Sequence, residues 1–273
     1  MSLISVLIRT TGRDSFKLAL TSVLTQAYQN FEVIIVEDGS NHLESLIKQL
    51  NDDRLKYFNL LPQRGRSAAG NFAMDKASGN YLIFLDDDDL WYSNHLETLT
   101  ASVAPEIIVY SLAHERGITH NNKIVSKPYL FPRDEGTLND SNFLIINNVL
   151  FPKEAFVRLG GFVNSLDQLE DWVLWAKFAQ TYEFKKVNKI TSCYFVPFSL
   201  IDYCKRIAKF KRGYLEAYQL VSKFDLPKPQ QTIKLYSKVW RKLKILLILF
   251  ASRVVIQKNF YSSSKCINAR LKE

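Results

Sequence analysis

The chain of 273 residues has only three cysteines, four histidines and ten glycines, and no apolar run approaches bilayer length. Each shortage removes a class of explanation. Cys193, Cys204 and Cys266 are odd in number and lack metal-ligand spacing, so they read as reduced structural thiols. His42, His95, His114 and His120 form no ligand pair. A membrane span needs about 20 consecutive apolar residues, and none is present. The apolar run Leu3 to Ile8 is short, ends at Arg9 and follows no basic residue, so it reads as a strand and not a signal peptide. Repeats and low-complexity segments are missing too. What remains is a chain 47% hydrophobic, enough for one large domain or one domain with an appendage.

The net charge of +9 conceals an asymmetry. Residues 1–198 hold 19 Lys+Arg against 23 Asp+Glu, a net of −4, whereas residues 199–273 hold 17 against 4, a net of +13. A mildly acidic body therefore precedes a strongly basic appendage, whose charge suits an anionic partner such as membrane lipid or nucleic acid.

Within the body, strand and helix signals alternate. "LISVLI", "FEVIIVED", "LKYFNL", "YLIFL" and "EIIVYS" read as strands. Between them "DSFKLALTSVLTQA", "LESLIKQL", "SAAGNFAMDKAS" and "HLETLTASV" read as helices. Short apolar strands separated by helices predict an α/β fold, with a mostly parallel central sheet covered by helices on both faces. Residues 117–151 read as hairpins or loops with "NNVLF" a later strand, and "KEAFVRLGGF" and "EDWVLWAKFAQ" as helices. After Pro197 the tail reads as helical, so residues 199–273 are expected to form a helical basic C-terminal appendage to a body of residues 1–198.

In parallel sheets ligands sit beyond the carboxyl ends of the strands. That rule gathers "RTTGR", "EDGS", "PQRGRS" and "DDDD" on one rim. Four adjacent carboxylates, Asp86 to Asp89, repel one another, and one helix cap needs only one of them. Oxygen-rich clusters suit a hard divalent cation, Mn²⁺ or Mg²⁺, which keeps part of its shell for substrate phosphates.

The motifs "ISVLIRTTGR", "SVLTQAYQNFEVIIVEDGS", "RGRSAAGN", "GNYLIFLDDDDLW" and "GGFVNSLDQLEDWVLWAKF" stand in the order found in the inverting family 2 glycosyltransferases, and residues 2–180 resemble that family. The resemblance implies the glycosyltransferase A fold and a nucleoside-diphosphate-sugar donor, with a UDP-sugar favoured. It places Thr10, Arg13, Asp38, Asp86 and Asp87 at the donor nucleotide and Asp88, with Asp86, at the metal. Asp38 would accept the N3–H of a uracil or thymine ring. Asp171 matches the base that takes the acceptor proton, with Glu170 beside it. Trp172 reads as a packing residue or as an acceptor contact through a sugar face.

Four departures stand out: Arg9 where the family usually has proline, Glu37 for the first acid of "DDGS", Gly70 where the family normally has arginine, and Lys177 for an arginine common in "LWLR". Arg64 or Arg66 would then supply the charge near the diphosphate. The acceptor implied is a glycan or lipid-linked glycan of a bacterial-type surface polysaccharide.

In the appendage, residues 233–256 set Tyr236, Val239, Trp240, Leu243 and Leu247 on one helical stripe with lysines and arginines opposite. That pattern suits an anionic membrane surface, at the inner face of the plasma membrane for a cytoplasmic enzyme, or packing on the body. Nucleic acid is not expected, because no binding motif accompanies the charge. Two rival readings are a sugar nucleotidyltransferase, for which "RTTGRDS" is a poor match, and a non-catalytic membrane- or polysaccharide-binding scaffold.

Overall fold

A computed structural model of the chain describes residues 2–118, 124–129, 138–166, 168–197 and 213–226. Its first half is the alternating unit that the sequence predicts. Strands β1 (Ile4–Thr10), β2 (Phe31–Asp38), β3 (Leu55–Leu60) and β4 (Tyr81–Phe84) pair in parallel in the order β3-β2-β1-β4. Helices α1 (Phe16–Leu24), α2 (Glu44–Leu50) and α3 (Arg66–Lys76) form the crossovers.

Every residue of β1 and β2 is buried, because the sheet is covered on both sides. Alternation along each strand feeds two cores. Val6, Ile8, Val33 and Ile35 enter one, where α1 contributes Phe16, Ala19, Leu20 and Val23 at helical spacing. Leu7, Ile34 and Val36 enter the other, against Ala69, Ala73 and Met74 of α3 and four aromatics, Phe84, Phe151, Trp172 and Trp175.

Beyond β4 the sheet becomes mixed. Strand β8 (Val149–Pro152) runs antiparallel to β4, and β6 (Ile107–Ile118) antiparallel to β8. Strand β9 (Glu183–Pro197) lies parallel to β6 along nearly its whole length. The two-residue β5 (Leu90–Trp91) closes the order on β9, and β7 (Ile124–Tyr129) pairs with β6. Helices α4 (His95–Thr100), α5 (Lys153–Leu159) and α6 (Glu170–Phe178) complete the described elements.

Sequence patterning missed β5 and β9 and ended β6 too early. Lys185, Lys186 and Lys189 are exposed in the first half of β9 and dilute its apolar signal. Of the appendage, residues 213–221 are helical and share the body's core through Ala217 and Val221, with Tyr214 stacked 5.3 Å from Trp172. The stretch 233–256 lies outside the described residues.

The start of β4 sets the position of the acidic run. Gly79 donates its N–H to Ser5 Oγ at 2.8 Å, and a Cβ there would lie 2.7 Å from Ser5 N and 2.8 Å from Leu3 O. Those backbone atoms belong to β1 and its lead-in and have little room to yield. Gly79→Ala is therefore expected to cost about 1–3 kcal/mol, as overpacking does, read as a lower urea midpoint at unchanged slope.

Candidate active site at the carboxyl rim

The chain leaves β4 through buried Leu85 into a turn in which the Asp89 N–H bonds the Asp86 carbonyl at 3.1 Å. The turn sends its four carboxylates in different directions. Asp87 points inward, accepting Thr10 Oγ1 at 2.6 Å and Arg13 Nη1 at 3.2 Å. Asp88 is half-exposed and accepts the same guanidinium nitrogen at 2.8 Å. Asp89 is buried and accepts the Phe195 N–H at 2.8 Å and Asn147 Nδ2. Asn147 also takes the Asp86 N–H through Oδ1 at 2.8 Å.

Asp86, Asp88 and Asp89 each offer one oxygen to a common point, all within 4.8 Å of one another. Burial raises the Asp88 carboxyl above the ordinary range and the Asp86 charge adds to it. Burial holds Asp89 well above the range, with Asp86 and Asp88 reinforcing. Hard oxygen donors at this spacing, with a repulsion that a cation would relieve, fit a divalent metal such as Mn²⁺ or Mg²⁺. Asp87, turned onto Thr10 and Arg13, stands outside that group.

Across the cleft, α6 begins after Leu169, which takes the left-handed conformation with φ 60°. Glu170 is buried and accepts Arg9 Nη2 at 2.7 Å, with Arg66 Nη1 at 3.6 Å. Asp171 accepts Asn142 Nδ2 at 2.8 Å and the Trp172 N–H at 2.9 Å, and solvent still reaches it. Its carboxyl is pushed up to about 7, first by burial and then by the Glu170 charge. Arg66 faces both acid groups. Burial alone would lower its pKa, but Glu170, Asp86, Asp171 and Asp88 together raise it.

The structure thus brings Asp86, Asp88, Arg66, Glu170 and Asp171 to one cleft, and it bonds Thr10, Arg13 and Asp87 into a group at its edge. Asp38 is spent on the loop before α3: its two oxygens accept the Arg64 N–H at 2.7 Å and the Gly65 N–H at 2.8 Å, leaving each a further lone pair. Trp172 is fully buried, stacked on Tyr214 and bonded through Nε1 to the Leu138 carbonyl at 2.7 Å, so it packs the core and has no face open to a sugar.

Arg9, Asp89, Asn142 and Asn147 were not picked out as site residues. Arg9 carried a signal only as a departure from the family pattern. Asn142 and Asn147 carried none, because their roles depend on loops that pattern reading cannot position.

Residues 5–162 match the family described as glycosyl transferase family 2, a span that includes the acidic turn and stops before α6. A putative colanic acid biosynthesis glycosyl transferase, WcaA of Escherichia coli K12, is 28% identical over 261 residues, covering 90% of this chain and 93% of that protein. An uncharacterized glycosyltransferase of Rickettsia bellii is 40% identical over 97 residues, but the match covers 34% of this chain and only 14% of that longer protein. Two Rickettsia relatives of similar standing are matched over 20–21% of their length. Among solved structures, Staphylococcus aureus TarS 1–349 in complex with UDP superposes with a TM-score of 0.58 at 19% identity, over 82% of this chain and 70% of that one. Mannosyltransferase PcManGT of Pyrobaculum calidifontis, in complex with GDP-Man and Mn²⁺, gives 0.58 at 17%, over 81% and 69%. Both share the glycosyltransferase A fold with this chain.

The raised Asp171 carboxyl has a stability consequence. A carboxyl that titrates near 7 folded and near 4 unfolded stabilises the fold while protonated, and that contribution is lost as pH rises toward and through about 7. Asp171→Asn cannot ionise. It should melt higher than the parent at pH 8, by about 1 kcal/mol or more after allowing for the solvent that reaches the site. The difference should shrink toward zero near pH 4, in paired thermal melts.

Proposed function

This chain belongs to glycosyl transferase family 2, and from that premise we propose that it is a metal-dependent, inverting glycosyltransferase. It would move a sugar from a nucleoside diphosphate, UDP by preference, to a hydroxyl of a glycan or lipid-linked glycan during surface-polysaccharide synthesis. The observation that carries the reading is the meeting in one cleft of a convergent aspartate group with a carboxylate that titrates near neutrality.

The chemistry divides between the two sides. Asp171 accepts the proton of the acceptor hydroxyl as its oxygen attacks the anomeric carbon on the face opposite the diphosphate. The new C–O bond forms there, and the old one breaks with its electron pair leaving on the nucleoside diphosphate. Arg66, held among four carboxylates, is placed to meet the diphosphate charge. A divalent cation held by Asp86, Asp88 and Asp89 would neutralise the leaving group. Arg13, which bonds Asp87 and Asp88, orients the acidic turn, and Thr10 fixes Asp87 from below. Asp38 keeps lone pairs for a base N–H while it holds the loop bearing Arg64 and Arg66.

The UDP and Mn²⁺ complexes of the structural neighbours support the choice of donor and metal, and the role named for WcaA supports the polysaccharide. No described helix is long and apolar enough to cross a membrane. Within the same proposal, the basic stretch 233–256 would hold the enzyme at the inner face of the plasma membrane beside a lipid-linked acceptor.

Calorimetric titration with UDP tests the donor side. Binding should require Mn²⁺, vanish in EDTA and be lost in Asp88→Ala; metal-independent binding of equal strength would sink the role given to the acidic turn. With a donor and acceptor found by screening, Asp171→Asn should lower kcat by about 10²–10⁴, the range for losing a general base. The parent's activity should rise with pH through about 7. The product should be nucleoside diphosphate, and release of pyrophosphate would point to nucleotidyl transfer.

A further inference from the structure

Arg9 is the last residue but one of β1, and its side chain is only 6% exposed. It lies between the rings of Phe84 and Phe162, with Cζ 5.6 and 5.3 Å from their centroids. Three elements take its nitrogens. Nη2 reaches Glu170 at the start of α6 at 2.7 Å, Nη1 the carbonyl of Arg66 at 3.2 Å, and Nε faces Asp86 Oδ1 at 3.5 Å without a hydrogen bond. The space exists because residue 70 is glycine: a Cβ there would lie 3.5 Å from Arg9 Nη1 and 2.5 Å from Phe162 Cε2.

Burying a guanidinium between two phenyl rings is not what stability asks for. Replacing buried ion pairs by apolar side chains of similar size is often neutral or stabilising. The side walls of this slot are already apolar and would accept such a replacement. Only its end is charged, and there the two acids come from opposite sides of the cleft.

We infer that Arg9 is a positioning residue that couples the donor-side carboxylate Asp86 to the acceptor-side pair, bonding Glu170 while it faces Asp86, so that the charge beside Asp171 is set from β1. Its catalytic meaning rests on the function proposed above, but the coupling itself is a property of the free protein. Among the described residues, the charged and polar groups facing Asp171 are Glu170 and the Trp172 N–H from its own helix, Arg9 from β1, Arg66 from α3 and Asn142 from the loop before β8. Removing Arg9 leaves Asp171 beside Glu170 with Arg66 and Asn142 to offset the two carboxylates, so Asp171 should hold its proton to higher pH.

The test is carbon-detected NMR of protein labelled at aspartate carboxyls, with Asp171 assigned by the signal missing in Asp171→Asn. Arg9→Met keeps the length and apolar packing of the side chain, and Arg9→Lys can reach one acid at a time. The Asp171 midpoint, near 7 in the parent, is expected to rise by about one pH unit or more in Arg9→Met and by less in Arg9→Lys. In a Glu170→Gln background the midpoint should drop, and Arg9→Met should then move it much less. A structural role alone would give no rise, or the same rise in both backgrounds, and either result overturns the inference. UDP titration with Mn²⁺ separates the two sides. Arg9→Met should bind within about tenfold of the parent, whereas loss of binding would make Arg9 a donor-site residue and overturn the coupling. Should the parent itself not bind UDP, the donor reading fails and the carboxyl titration still decides the role of Arg9.

Discussion

Repulsion between carboxylates is the constraint around which the rim is arranged. Asp86 to Asp89 end one strand and Glu170 and Asp171 begin a facing helix, so six acids share a cleft floored by low-dielectric core. At such spacing like charges raise one another's pKa and cost stability unless something answers them. Each acid here has its own answer. Asp87 has Thr10 and Arg13, Asp89 has the Phe195 N–H and Asn147, Glu170 has Arg9 and Arg66, and Asp171 has Asn142. Asp88 has the exposed Arg13 at 2.8 Å with the Arg66 charge nearby, and the Asp86 carboxylate meets Arg9 at the longer distance of 3.5 Å. These are the two acids that sequence reasoning assigns to a metal.

Much of this was legible before any fold was known, because the informative features are local. Parallel strands covered on both faces are predominantly apolar, so β1, β2 and β4 declare themselves and the acidic run falls at a strand end. Directions are not local. Nothing in "DDDD" says that Asp87 turns onto Thr10 while Asp89 turns onto Phe195, since that depends on strands β1 and β9, 77 and 106 residues away. Trp172 shows the same limit from the other side. A tryptophan beside a candidate catalytic acid is compatible with stacking on a sugar, but one helical step turns it onto Tyr214 and the core.

Two features that looked unrelated in the sequence meet in space. Arg9 stands where the family resemblance leads one to expect proline, and Gly70 where it leads one to expect arginine, 61 positions apart. The structure puts the Arg9 guanidinium beside Gly70, where an added Cβ would lie 3.5 Å from Nη1 and 2.5 Å from Phe162 Cε2. A larger residue at 70 would displace Phe162, one wall of the slot, and loss of Arg9 would leave Glu170 with the more distant Arg66 at 3.6 Å.

The second half of the sheet has its own hold on the chemistry. Asp89 anchors β9 through Phe195, and Asn147 ties the Asp86 backbone and the Asp89 carboxylate to the segment entering β8. Each carboxylate oxygen accepts along more than one direction, so Asp89 can anchor these elements and still turn a lone pair toward a cation. The orientation of Asp89 is then fixed from β9 and the segment entering β8, whereas Asp88 is held by Arg13 and Asp86 faces Arg9 of β1. Strands β8 and β9 are antiparallel and parallel additions to the parallel half β3-β2-β1-β4, and they lie outside the pattern from which the motif was read. That is why the identity of the acids can be read in four letters, whereas their geometry needs a further hundred residues of chain.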